Sequence, residues 1–412
     1  MTKEYWQENK YELITTFFIF TNLFPAWFPE WMYYLSFLMI LYKAFEFKIF
    51  HQKGSILFLW FIFVLWISSF LGAGISARLI VFSMVLYICR PVDSEEWHLY
   101  KLKLLKNICF GFALATIANF YARLRGINMT GTDIAIRHHE KIGVAVEFSG
   151  FSTHAMWASC AAALSTLFFT NYLLSNQNSK GKTMRYVCFI MISISLYVTM
   201  ISASRSAFFL SLACAALIMY LYSEGRAGKI SKYIVVTGIL ATIIVPILSD
   251  NASAMLAKKN GLEITTKNSS RDVLWSERMT EFESSPLTGI GFAAYGVGNN
   301  QKIERFESGG SYISVLAQTG IIGASVFMMI WLAAFVFPKN VVRHPTIVLL
   351  YAIFFYFSIH CILEGYMIQP GWYLCLVVWL VIGVMTEIKW FGWTSDQYAK
   401  LLDQNADEED DE

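Results

Sequence analysis

The run "ILFLWFIFVLWISSFLGAG" at positions 56–74 contains no charged residue. Its length is that of a helix crossing a bilayer, which takes about 17–25 apolar residues. A second run, "YIVVTGILATIIVPIL", occupies 233–248. Across the 412 residues, 56% are hydrophobic, 17% aromatic and only 15% charged. A soluble chain of this size carries about a quarter charged residues, so a soluble class is excluded. The fold class expected is all-α: a polytopic helical membrane protein.

Twelve spans can be drawn, near 12–28, 31–47, 55–73, 76–90, 104–122, 151–175, 186–202, 206–222, 233–249, 311–336, 345–363 and 371–390. Short cytoplasmic loops carry the excess of Lys and Arg. With the N-terminus inside, the inner connections hold Lys43, Lys48 and Lys53, then Arg90, Lys101, Lys103 and Lys106. Lys180, Lys182 and Arg185 follow, then Arg226, Lys229 and Lys232, and finally Lys339 and Arg343. The tight outer connections at 29–31 and 364–370 hold no Lys or Arg. Both termini are therefore expected in the cytoplasm. Residues 1–249 would supply nine spans with an outer loop at about 123–150, and 250–310 a large outer loop. Residues 311–390 would supply three more spans, and 391–412 an acidic cytoplasmic tail ending "DQNADEEDDE". The first apolar run is followed by many others, which does not fit a cleaved leader. No internal repeat suggests an inverted-repeat transporter.

All seven cysteines lie in or beside apolar runs, at spacings that suit neither a disulfide framework nor a Cys-based metal site. They read as small packing residues. The adjacent His138 and His139 have no ligand spacing around them either.

The outer loops break the charge rule. Arg123, Arg125, Arg137 and Lys141 fall in the first, and Arg271, Arg278, Lys302 and Arg305 in the second. Arg205 sits in "SASRSAFF", a tight connection between two spans. A lone Arg at a membrane edge can snorkel. Many cations on one face point instead to an anionic ligand, and Arg matches phosphate oxygens through a planar fork. In "RDVLWSERMTEFESSPLTGIGFAAYG" (271–296), helical spacing puts Arg271, Leu274, Trp275, Arg278 and Phe282 on one face. This predicts an amphipathic helix at the membrane surface, stopped at Ser285-Pro286. The "TGIGF" that follows is a turn in which backbone can approach a ligand closely.

Three more residues near outer span ends can meet substrate. Arg78 opens the span 76–90 and can contact a lipid diphosphate. His154, in "GFSTHAMWA", reads first as a satisfied polar contact and second as a substrate contact. Glu364, in "CILEGYMIQPG", can orient an Arg or bind sugar hydroxyls, because a carboxylate there needs water or a cation. Trp27, Trp31 and Trp372 read as an interfacial belt, some of it able to stack on sugars.

The order of a tight-loop Arg, then "SSRDVLW…FESSPLTGIGFAAYG", then "SYISVLAQTGIIG" is similar to the core of the O-antigen ligase and polymerase superfamily, over about residues 186–335. The resemblance implies inverting glycosyl transfer at the periplasmic face of the bacterial inner membrane, on a GT-C-like helical scaffold. It implies undecaprenyl-diphosphate-linked glycans as substrates, and no metal or other cofactor. The family's paired arginines match Arg205 and Arg271, which would grip the donor diphosphate. Arg278, with Arg123 or Arg125, would help with the acceptor diphosphate. Ligases of the family carry a His-Asn pair just before the span matching 311–336, where this chain has Gly309-Gly310-Ser311. Polymerases often show Glu-Ser-Gly-like residues there, and Glu307-Ser308-Gly309 fits, which makes Glu307 the candidate base. The reading is a polysaccharide polymerase, for O-antigen, capsule or exopolysaccharide, with the bilayer and lipid-linked glycans as partners. A chain-length regulator and a flippase are partners this reading allows; nucleic acid is not. The rivals are a ligase and, from another class, a lipid-linked oligosaccharide transporter. A transporter would spread charge at mid-membrane depth, whereas most charge here lies at span ends.

Overall fold

The structure, a computed structural model, describes residues 9–129, 148–152, 154–175, 181–202, 204–222, 270–303, 309–336, 341 and 344–391; the side chains at 205 and 270–273 fall outside that description. Helices dominate it. They are α1 (Lys10–Thr21), α2 (Trp31–Glu46), α3 (Ile56–Leu71), α4 (Ala77–Cys89), α5 (Glu95–Leu124) and α6 (Ala155–Ser175). Then come α7 (Lys182–Ile201), α8 (Arg205–Tyr222), α9 (Ser270–Ser284), α10 (Ser311–Ala334), α11 (Pro345–Leu363) and α12 (Tyr373–Phe391). All the expected spans coincide with a helix except 233–249, which lies outside the described residues. By length and composition six of the helices can cross a membrane: α5, α6, α7, α10, α11 and α12. α3, α4 and α8 are shorter and equally apolar in character.

α12 organises the packing. Every residue from Tyr373 to Ile388 is buried, the pattern of a helix that is apolar all round. It packs on α4, α5, α10 and α11. Trp379 sits among the rings of Phe58, Phe61, Phe82 and Phe327. The outward faces are apolar too: Phe70 on α3 is 77% exposed and Leu332 on α10 is 59% exposed. Contiguous apolar surface of that kind belongs in lipid. The seven cysteines are buried and unbridged.

α5 begins at Glu95, well before the expected 104. Ser94 caps it by accepting the Trp97 N–H, and Glu95 and Glu96 sit against the positive end of the helix dipole. Lys101, expected in an inner loop, is instead fully buried on this helix and paired with Glu387 of α12. His98 Nδ1 lies 2.8 Å from the second Glu387 oxygen, and the Val92 N–H donates to the first at 3.1 Å. A buried carboxylate needs such partners, and together they pin α5 to α12 at the end away from residues 22–31 and 364–372.

A small hairpin was not foreseen: β1 (Ala294–Tyr295) pairs antiparallel with β2 (Lys302–Ile303), Ala294 opposite Ile303.

Candidate functional site

The segment expected as one span at 311–336 is a broken helix. α10 departs from helical geometry at Gly320, with φ 63° and ψ −169°. The loop "PLTGIGFA" (286–293) fills the break. Ile290 N–H donates to the Ala317 carbonyl and Gly291 N–H to that of Gln318, both at 3.0 Å. In return Ile321 N–H donates to the Pro286 carbonyl at 2.9 Å and Ile322 N–H to that of Leu287 at 3.4 Å. Backbone freed inside a membrane must be satisfied by protein, and here another loop does it. A Cβ on Gly320 would run into the Leu287 carbonyl, and one on Gly289 into that of Gln318. The glycines of "TGIGF" and "TGIIG" thus face each other. The close approach expected for "TGIGF" is an approach to the chain's own α10.

The polar residues before the break are used as well. Gln318 Oε1 accepts the Ala293 N–H at 3.1 Å, and Thr319 Oγ1 donates to the Val315 carbonyl at 2.7 Å. Phe292 stacks on Phe82, with ring centres 4.8 Å apart.

α9 is the expected amphipathic helix, and it ends just before Ser285-Pro286. Arg278 lies on its inner face but turns to its own neighbour. Its Nη1 lies 2.8 Å from Glu281 Oε2, and both residues are 2% exposed. Glu281 also accepts the Gly296 N–H at 2.6 Å, which ties α9 to the hairpin. Burial pushes the Glu281 carboxyl above the usual carboxylate range, and it lowers the Arg278 guanidinium from its ordinary value. Glu281→Gln keeps an acceptor for Gly296 but strips the buried guanidinium of its nearest counter-charge, leaving the exposed Glu277 at 4.0 Å. We expect it to cost about 3 kcal/mol. The double variant Arg278→Met/Glu281→Gln should cost less than that single change, read by thermal unfolding in detergent.

The last turn of α11 gathers the other elements. His360 is fully buried there, stacked on Tyr356 with ring centres 5.1 Å apart. Its Nε2 lies 3.1 Å from Ser206 Oγ, and its Nδ1 lies 3.0 Å from Tyr366 Oη. Ser206 follows Arg205, the first residue of α8. Two residues after His360, the Ile362 carbonyl lies against Gly310. The Gly309 carbonyl accepts the indole N–H of Trp275 at 2.8 Å, and Trp275 stands one turn along α9 from Arg271. The Glu364 carbonyl accepts the N–H of Ser311 at 3.1 Å and its hydroxyl at 2.7 Å. Arg205 and Arg271 therefore each occupy the first turn of a helix, and both helix starts are tied to the end of α11.

Gly309 and Gly310 leave no room for a side chain. A Cβ on Gly310 would run into the Ile362 carbonyl. Gly309 has φ 69°, and a Cβ there would lie 2.9 Å from Leu274 Cβ and 3.1 Å from Trp275 Cδ1.

The remaining predicted residues are dispersed. Arg78 lines a cavity of about 260 Å³, together with Gln318, Glu30 and Trp372. His154 is exposed; its Nδ1 accepts the Met156 N–H at 3.3 Å, and its ring lies 6.1 Å from that of Trp157. Arg123 and Arg125 stand exposed at the end of α5, where Arg125 Nε donates to Tyr121 Oη at 3.0 Å. Glu364 is half-buried at the end of α11. Glu307 lies outside the described residues. Among the described residues no group of His, Cys, Asp or Glu is arranged to hold a metal. His360 escaped sequence reasoning. Its one signal was "HCILE", which sets a His and Glu364 on one helical face.

A bundle of apolar helices, one of them broken and plugged by a glycine loop, defines a helical membrane protein. Residues 190–328 match the family model described as O-antigen ligase, which supports the resemblance to the O-antigen ligase and polymerase superfamily. The match runs from within α7 to beyond the break in α10. Neither a curated protein nor a solved structure matches the chain.

Proposed function

We propose that this protein polymerises undecaprenyl-diphosphate-linked oligosaccharide repeat units at the periplasmic face of the bacterial inner membrane. It does so with twelve spans on a GT-C-like scaffold and both termini in the cytoplasm. The observation that carries the polymerase reading is the closure of backbone around Gly309 and Gly310. That is where a ligase of this superfamily would present His-Asn, and neither position here accepts a side chain.

The growing chain is the donor. A hydroxyl at the non-reducing end of a fresh repeat unit attacks the donor's anomeric carbon. The bond from that carbon to the diphosphate oxygen breaks with inversion, and the hydroxyl proton passes to a base. Undecaprenyl diphosphate leaves with the negative charge. Arg205 and Arg271 hold that diphosphate, and their fixed positive charge stabilises the leaving group without a metal. Glu307, two residues before Gly309 in the sequence, is the base. Arg278, bound to Glu281, acts by holding α9 and so Arg271 in place. Arg123 and Arg125 meet acceptor phosphate at the membrane edge.

Deletion of the gene tests this reading. A polymerase mutant leaves single repeat units on the final acceptor. Long glycan held on the carrier lipid would instead identify a ligase and overturn the proposal.

A further inference from the structure

The cavity of about 260 Å³ beside the break in α10 is walled in part by Asn22, Glu30, Tyr34, Arg78, Gln318 and Trp372. We infer that it is a sugar subsite that receives the acceptor end of the lipid-linked glycan; that the ligand is a glycan rests on the function proposed above.

Gln318 is the first reason. It is 2% exposed and lines the cavity, and its Oε1 is taken by the Ala293 N–H. With its oxygen engaged, the side chain has its amide N–H groups to offer a polar ligand at the cavity wall.

Charge is the second. Glu30 and Arg78 line the same cavity with opposite signs. A diphosphate entering there would meet a carboxylate as well as a guanidinium. A neutral sugar suits the pair, because each hydroxyl can donate to Glu30 and accept from Arg78 or Gln318.

Shape is the third. Tyr34 and Trp372 offer ring faces on which the apolar face of a sugar can pack. Trp372 is braced edge-on against Trp157, with centres 5.6 Å apart. A space of about 260 Å³ has room for a sugar ring. The wall is preformed. Asn22 Nδ2 donates to the Gly371 carbonyl at 3.1 Å, and its Oδ1 accepts the Tyr373 N–H at 2.9 Å.

The test uses the full chain in cells that make the glycan. A photoreactive benzoylphenylalanine replaces Val81, which lines the cavity, or Leu332, which faces outward. Irradiation should give a carbohydrate-bearing adduct at Val81 and none at Leu332. An adduct at Val81 free of carbohydrate, or carbohydrate equally at both positions, overturns the subsite. Arg78→Gln and Gln318→Glu should each cut the carbohydrate adduct roughly tenfold at equal protein in the membrane. Gln318→Glu keeps an acceptor for Ala293 and replaces the amide donor with a carboxylate oxygen, adding a negative charge at the wall. Should it fail to accumulate, Arg78→Gln decides, and an unchanged adduct there sinks the idea. The function and the subsite fail separately. Long glycan on the carrier lipid refutes the polymerase while carbohydrate at Val81 upholds the subsite, and the reverse pattern refutes the subsite alone.

Discussion

Arg205→Ala and Arg271→Ala should each abolish chain growth at unchanged protein level. The glycan ladder on a gel should collapse to single repeat units, with an immunoblot of the membranes as the control for protein. The size follows from the chemistry assigned. A fixed donor aimed at charge developing on the leaving diphosphate is worth about 10²–10³ in rate. A loss of that size leaves no visible polymer. Arg→Lys at either position should recover only a small part, because Lys keeps the charge and loses the planar fork. The two arginines stand in the first turns of α8 and α9, which different elements fasten to the end of α11. Retained long chains in either variant would sink the donor-diphosphate role.

The spans were legible because each is a run of apolar residues, and burial in protein or lipid demands the same composition. What sequence could not show was where such a run stops being helical. "SYISVLAQTGIIG" reads as continuous in hydropathy, and only the partner loop, some thirty residues earlier, shows why Gly320 breaks it. The start of α5 was misplaced for a related reason. Lys101 counts as a loop charge until Glu387, from the other end of the chain, is seen beside it. The Ser94-Glu95-Glu96 cap was the overlooked local signal. Helical spacing put Arg278 on the inner face of α9 correctly, but periodicity cannot tell a ligand from a neighbouring carboxylate, and Glu281 is the partner. His360 was invisible because its partners, Ser206 and Tyr366, come from separate segments.

Gly320→Ala is expected to prevent the protein from folding. With φ 63° and ψ −169°, the position costs a residue bearing a Cβ about 1–3 kcal/mol in backbone strain alone. The larger cost is steric, because the new methyl would run into the Leu287 carbonyl, and a carbonyl held at both sides by backbone bonds cannot step aside cheaply. If the loop 286–293 withdraws, the backbone groups of Ala317, Gln318, Ile321 and Ile322 lose their partners in an apolar setting, at about 1–3 kcal/mol each. The sum rivals the whole stability of a typical domain, about 5–15 kcal/mol. The variant should give no monodisperse peak on size exclusion in detergent. Gly181→Ala is the matched control: Gly181 has φ −59° and nothing within contact of an added Cβ, so that protein should behave as wild type. The alternative is a helix that runs straight through position 320, with the glycine loop elsewhere. It predicts that Gly320→Ala folds and gains stability, since Ala is the better helix former by about 1 kcal/mol. The two arrangements therefore differ in the sign of the effect. The same measurement decides whether Gln318 is held at the cavity wall by a broken helix or merely passes along a continuous one.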